Sequence, residues 1–258
     1  MRRPLFALLA LALALPAWGA EPSVSQPLRS ARPTLDFSVG YRGFSRTFGL
    51  DSPATTVPRF GGTGGGVAVE AAVYPFASVS SSVLGNLGLL GEGQLSVGLS
   101  ALYNGKDFAA EATTLRGSLA LRVPFDASEV LLQAGVGYQG FRLATASTDG
   151  RGTLAAQADP GFLGPRAGLG YQLRVTERLS LRARAALLFT LSRGQLGSLY
   201  TQSSAFGLDA GVQLAFTLVS AVQLRASADW SRVFLTLAPG LTATEQQFGG
   251  TVSVALAL

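Results

Sequence analysis

The sequence predicts an all-β fold: a closed, antiparallel, up-and-down transmembrane β-barrel of about ten strands. Three observations predict it. Most of the chain alternates apolar and polar residues with period two. The connections between the alternating segments are long and short in turn. Nearly half of the 258 residues are apolar (48%), only 14% are charged and 32 are glycine, yet after the first residues no apolar run is long enough for a spanning helix.

The chain opens as an export signal is built. Arg2 and Arg3 supply a positive start, residues 5–15 a short Leu, Ala and Phe run, and 16–20 small residues around Trp18. The run is too short to span a membrane. Residues 1–20 are therefore expected to be a signal peptide, cut near residue 19 or 20, and 21–33 a periplasmic tail without periodicity. The barrel is expected over 34–258.

The first strand sets Leu35, Phe37, Val39 and Tyr41 against Asp36, Ser38, Gly40 and Arg42. The second, over 65–76, sets Val67, Val69, Ala71 and Val73 against Glu70, and the third covers 87–103. The fourth, over 113–123, alternates Leu115, Leu119 and Leu121 with Arg116, Ser118 and Arg122; the fifth, over 130–141, sets Leu132, Val136 and Tyr138 against Gln133, Gly135 and Gly137. The sixth, over 162–175, opposes Leu163, Ala167, Leu169 and Tyr171 to Arg166, Gln172 and Arg174. In the seventh, over 179–189, the polar side is Arg182 and Arg184; in the eighth, over 206–218, it is Asp209 and Gln213. The ninth covers 222–234 with Gln223, Arg225 and Asp229, and the tenth 247–258.

Five connections read as long outer loops: 49–64, 104–112, 142–161, 192–205 and 235–246. Residues 124–129, 176–178 and 219–221 read as short periplasmic turns, and only 77–86 breaks the rule. The glycines at 61, 62, 64, 65 and 66 could suggest a phosphate-cradling loop, but no Lys with Ser or Thr follows them, so a flexible outer loop is expected.

Alternation alone also suits a soluble barrel, in which the apolar face would point inward. The export signal, the strand lengths and the aromatics favour lipid. Tyr103, Tyr138, Phe162, Phe189, Trp230, Phe234 and Phe248 fall toward expected outer ends, and Tyr74, Phe76 and Phe216 toward periplasmic ends, as two interfacial girdles would. With the apolar face outward, an ionic cluster is expected in the lumen: Asp36, Arg42, Glu70, Arg116, Arg122, Arg166, Arg174, Arg182, Arg184, Asp209, Arg225 and Asp229. Charges taken out of water need partners, so this cluster reads as a hydrogen-bonded plug. The arginine surplus also admits a narrow, anion-preferring passage.

Chemistry is constrained by absence. The chain has no cysteine and no histidine, which removes thiol nucleophiles, thiolate metal sites and the commonest general base and transition-metal ligand. Lys106, the only lysine, lies beside Asp107 with no paired Ser or carboxylate cluster in view. No enzyme activity, cofactor or metal is expected. A net charge of +5, two units of it in the export signal, is too weak for nucleic acid.

From Leu35 to Leu258 the chain resembles the outer-membrane β-barrel domain family of Gram-negative bacteria, above all its small opacity-like and myxobacterial-type barrels. The strand pattern, Tyr74-Pro75-Phe76 and the alternating end Val252, Val254, Leu256 and Leu258 carry the resemblance. Family members commonly end on an aromatic residue, where this chain has Leu258. The resemblance implies outer-membrane lipid and, through the C-terminal strand, the barrel-insertion machinery as partners. A non-enzymatic structural, adhesive or partner-binding surface protein is expected. A narrow anion-preferring diffusion channel, or a subunit of a larger envelope complex with protein partners, is the alternative.

Overall fold

The computed structural model describes residues 33–51, 59–78, 83–103, 106–143, 160–194, 196–197, 200 and 203–258. The expected signal segment and residues 21–32 of the tail lie outside the described residues. Strands β1 (Leu35–Asp51), β2 (Arg59–Val73), β3 (Leu87–Tyr103), β4 (Lys106–Phe125), β5 (Ser128–Leu143), β6 (Pro160–Arg174), β7 (Leu179–Phe189), β8 (Ser192–Gly194), β9 (Ser204–Val219), β10 (Val222–Ala238) and β11 (Leu241–Ala257) form one eleven-stranded antiparallel sheet. Sequence neighbours pair except around β8, where β7 pairs with β9; β1 pairs with β11, and β5 with β6 joins the two halves, so the sheet closes. The three-residue β8 resumes the track of β7 beside β6 after a break at Thr190 and Leu191. Ten long strands therefore make the wall, in the up-and-down order that the alternation predicts.

Closure gives each of the ten long strands a partner on both sides, and the faces follow inside-out chemistry. Val39, Val67, Leu89, Leu119, Val136, Leu169, Val212, Val252 and Val254 are exposed on the outside, whereas Ser38, Arg42, Ser118, Arg122, Arg166, Arg225 and Ser253 are buried inside. In water such an exterior would be costly at about 25 cal/mol per Å² of apolar surface. In hydrocarbon it costs nothing, while the backbone amides are paired within the wall.

At one end three turns are short, and the 74–86 link between β2 and β3 is longer. Asp126 and Ala127 link β4 to β5, Ser220 and Ala221 link β9 to β10, and the 175–178 link is pinned by the Thr176 hydroxyl, which accepts from the amides of Arg178 and Leu179. At the other end two of the expected loops are mostly strand. Residues 106–112 belong to β4, and 235–246 is a hairpin whose only turn is Pro239-Gly240. Gly240 has φ 75°, the left-handed position that a proline-then-glycine turn of type II needs. The glycine run from 61 to 66 is likewise part of β2 rather than a flexible loop. There the Tyr41 ring lies over Gly65, whose missing side chain leaves it room.

Those extensions were hidden because the alternation changes phase. On β10 the apolar residues up to Trp230 occupy even, outward positions; from Val233 the odd, inward positions turn apolar, with Val233, Leu235 and Leu237 all buried, while Phe234 stays outward. On β1, outward Val39 and Tyr41 give way to inward Phe44 and Phe48, and on β11 Thr242, Thr244 and Gln246 face outward where Val252, Val254 and Leu256 do nearer the short-turn end. A wall leaving hydrocarbon for water reverses which face is apolar. Pattern reading that follows one phase stops at the reversal.

Inside the long-hairpin end the reversal builds an apolar core. Phe48, Phe162, Leu188, Leu196, Val233, Leu235, Leu237 and Ala243 pack together, with Tyr200, Ala205 and Leu241 against them, and Phe44, Leu99, Ala110 and Phe141 form a second group.

Candidate functional site

The charged interior lies between the short-turn end and this core. Each contributing strand places its charge by parity: residues two apart face the same way, so β1 directs Asp36, Arg42 and Arg46 inward from one edge.

Three tiers can be followed toward the long hairpins. Nearest the short turns, the Arg225 guanidinium donates to Asp36 at 2.7 Å and to Gln223 at 2.8 Å. Arg182 donates twice to Gln172, at 2.7 and 3.0 Å, and Arg122 stacks 3.3 Å over the Tyr74 ring while donating to the Pro33 carbonyl. In the middle tier Arg42 grips Asp229 through two parallel hydrogen bonds of 2.6 and 2.5 Å. Glu92 joins Arg116 at 3.0 Å to Arg184 at 2.9 Å, and Asp209 joins Arg116 at 3.1 Å to Arg166 at 3.3 Å. Glu70 stands 3.8 Å from Arg184, and Gln133 accepts from Arg166. In the third tier, fully buried Glu245 meets Arg46 at 2.5 Å and accepts from Gln139 at 2.7 Å, while Arg46 lies 4.1 Å from the Phe141 ring centre.

Glycines make the room that this packing requires. A side chain at Gly249 would stand 2.6 Å from the Arg42 guanidinium, and one at Gly211 would stand 3.1 Å from that of Arg184.

Every residue expected in the ionic cluster lies on an inward position of its strand. Three members were missed in sequence. Glu92 sits on β3, whose alternation is weak; Arg46 lies past the phase reversal of β1; and Glu245 falls where a loop was expected. Their signal was parity with Arg42 on β1 and with Gln247 on β11. Gln133, Gln139 and Gln172 were passed over as merely polar, although each holds a buried charge or guanidinium.

Two expected girdle residues are corrected. Phe162 is wholly buried in the apolar core, and Tyr74 is buried under Arg122. Parity decides both: Phe162 shares its face with Arg166, and Tyr74 with Glu70. Position near a strand end suggested a girdle, but facing is set by odd or even spacing. Tyr138, Phe189, Phe216, Phe234 and Phe248 are exposed on the outer face, Phe76 is exposed in the turn that follows β2, and Trp230 shares the outward parity of Phe234. The side chain of Tyr103 lies outside the described residues.

The tiers thus line the lumen with ion pairs and hydrogen-bonded arginines, and the apolar core lies beyond them toward the long hairpins. Such a structure binds its own walls together.

No family model and no curated protein matches the chain. Among solved structures, it is similar to the outer membrane protease OmpT from Escherichia coli, at 10% identity over 87% of this chain and 96% of that one, TM-score 0.48. It is also similar to the outer membrane protein OprG from Pseudomonas aeruginosa, at 10% identity over 88% and 98%, TM-score 0.34. The attachment invasion locus protein Ail of Yersinia pestis aligns at 9% identity over 86% and 99%, TM-score 0.27.

Proposed function

We propose that the protein is a non-enzymatic outer-membrane β-barrel with a closed lumen, a structural, adhesive or partner-binding surface protein that acts through its long hairpins. The observation that carries this reading is the stack of ion pairs beneath an apolar core. A passage for ions needs water-accessible charge, whereas Arg42, Arg46, Arg116, Arg166, Arg184 and Arg225 are each held by a carboxylate. The apolar band supports a barrel seated in lipid, and the expected export signal supports the outer membrane as its compartment, with the short turns in the periplasm. The C-terminal strand would engage the insertion machinery, and the extended hairpins would meet any envelope partner.

Reconstitution in a planar bilayer tests the reading. A closed barrel gives no steady single-channel current, whereas regular anion-selective openings would replace it with the alternative, a narrow diffusion channel lined by arginine. A mobility shift on boiling, in protein recovered from outer-membrane fractions, tests the compartment independently.

A further inference from the structure

Arg232 differs from the arginines of the lumen. It lies on β10 between Trp230 and Phe234, on the outward parity of that strand, where Arg225, Ser231 and Val233 are the buried inward residues. Its guanidinium carbon lies 4.7 Å from the Phe234 ring centre. Among the described residues no carboxylate forms an ion pair with it, and its Nε has no hydrogen-bond partner. Six lumenal arginines, Arg42, Arg46, Arg116, Arg166, Arg184 and Arg225, each meet a carboxylate, whereas among the described residues this exterior cation meets none.

Its height on the wall says where the counter-charge comes from. In register beside Arg232 stand Gln246 on β11 and Leu208 on β9. One row toward the short turns lie Trp230 and Phe248 as a directly opposed pair, and one row toward the hairpins lie Phe234 and Phe206, whose ring meets Phe189 at 5.7 Å. Past Phe248 toward the hairpins the outward residues of β11 turn polar, with Gln246 and Thr244. Arg232 therefore lies between two aromatic rows, at the level where the outward face of β11 turns polar. Lipid phosphates occupy that level of a bilayer, and a guanidinium braced on an aromatic face directs its free N–H groups at their oxygens.

We infer that Arg232, with Gln246 beside it, is a binding site for the phosphate of a lipid headgroup in the leaflet facing the long hairpins. The inference rests on the membrane reading above and adds to it a named site.

The test is native mass spectrometry of the exported protein, extracted in non-ionic detergent and mixed with phosphatidylglycerol. Wild type, R232Q, R232K and the exterior control R142Q are compared, each first checked for a mobility shift on boiling. Arg142 is exposed on the outer face, where Arg232 is half-buried, and Glu111 faces it in register. R232Q is expected to retain bound lipid about fivefold less than wild type, the scale of one interfacial charge, with R232K between them and R142Q like wild type. Equal retention by wild type and R232Q, both still heat-modifiable, would overturn the site and leave the membrane reading intact. Displacement by an equal concentration of inorganic phosphate would overturn a lipid headgroup as the ligand. A wild-type protein soluble without detergent and unshifted on boiling would overturn both readings together.

Discussion

Arg42 and Asp229, 187 residues apart, meet in a two-pronged hydrogen-bonded pair of 2.6 and 2.5 Å inside the barrel. They belong to β1 and β10, which do not pair with each other but flank β11 on either side. The contact spans that strand exactly where Gly249 offers no side chain to block it. Breaking one partner strands the other charge in a dry interior. R42M and D229L are each expected to lower the stability of the folded barrel by about 3–5 kcal/mol, and the double variant by clearly less than their sum. Urea unfolding in lipid vesicles, followed by tryptophan fluorescence, measures the cycle; simple additivity would mean that the pair carries no coupling.

Gly249 provides a second route to the same pair. An added methyl would stand 2.6 Å from Arg42 Nη2, so G249A must push the guanidinium off its carboxylate. The expected loss is about 1–3 kcal/mol, the scale of a charged hydrogen bond given up in a buried place. G117A serves as comparison, since a methyl at Gly117 meets open space. It should leave the temperature of the gel-mobility shift unchanged.

The apolar core should seal the lumen as well as stabilise it. F162A is expected to cost about 3–5 kcal/mol and L188A about 2–5 kcal/mol, because both side chains are buried in one cluster. With both removed, planar-bilayer recordings are expected to show small openings that wild type lacks. A double variant as silent as wild type would assign the seal to the ionic tiers alone.

The phase reversal locates the edge of the lipid. V254R places a charge in the apolar wall and is expected to cost about 2–4 kcal/mol, whereas T244R on the same strand and face should cost about 0–1 kcal/mol. Similar costs at both positions would remove the boundary drawn between Phe248 and Gln246.

The Pro239-Gly240 turn gives a local test. Gly240 at φ 75° suits glycine, so G240V is expected to destabilise the β10–β11 hairpin by about 1–2 kcal/mol, without loss of membrane insertion. Limited proteolysis should report it as faster cleavage near residue 240 in an otherwise heat-modifiable barrel.

The strand order, the ten long strands and the inward charges were legible because alternation is local: Leu35 to Arg42, or Leu163 to Arg174, displays both faces without knowledge of any partner. The hairpin at 239–240 was legible in principle, since proline followed by glycine is a turn signal, but the polar outward residues around it resembled a loop. Tyr74 and Phe162 were misassigned because closeness to a strand end was weighed above parity.

By itself the sequence determined the all-β class, the approximate strand number and the side of the wall on which most lumenal charges stand, since a two-residue period forces these. It could not say which arginine meets which carboxylate. Arg116 reaches both Glu92 and Asp209 because closing the sheet brings β4 and β9 to face one another across the lumen. The apolar core at the hairpin end was likewise a tertiary decision: Phe48, Phe162 and Val233 become neighbours only when the barrel closes, and their burial is favoured there because the wall around them has passed from hydrocarbon into water.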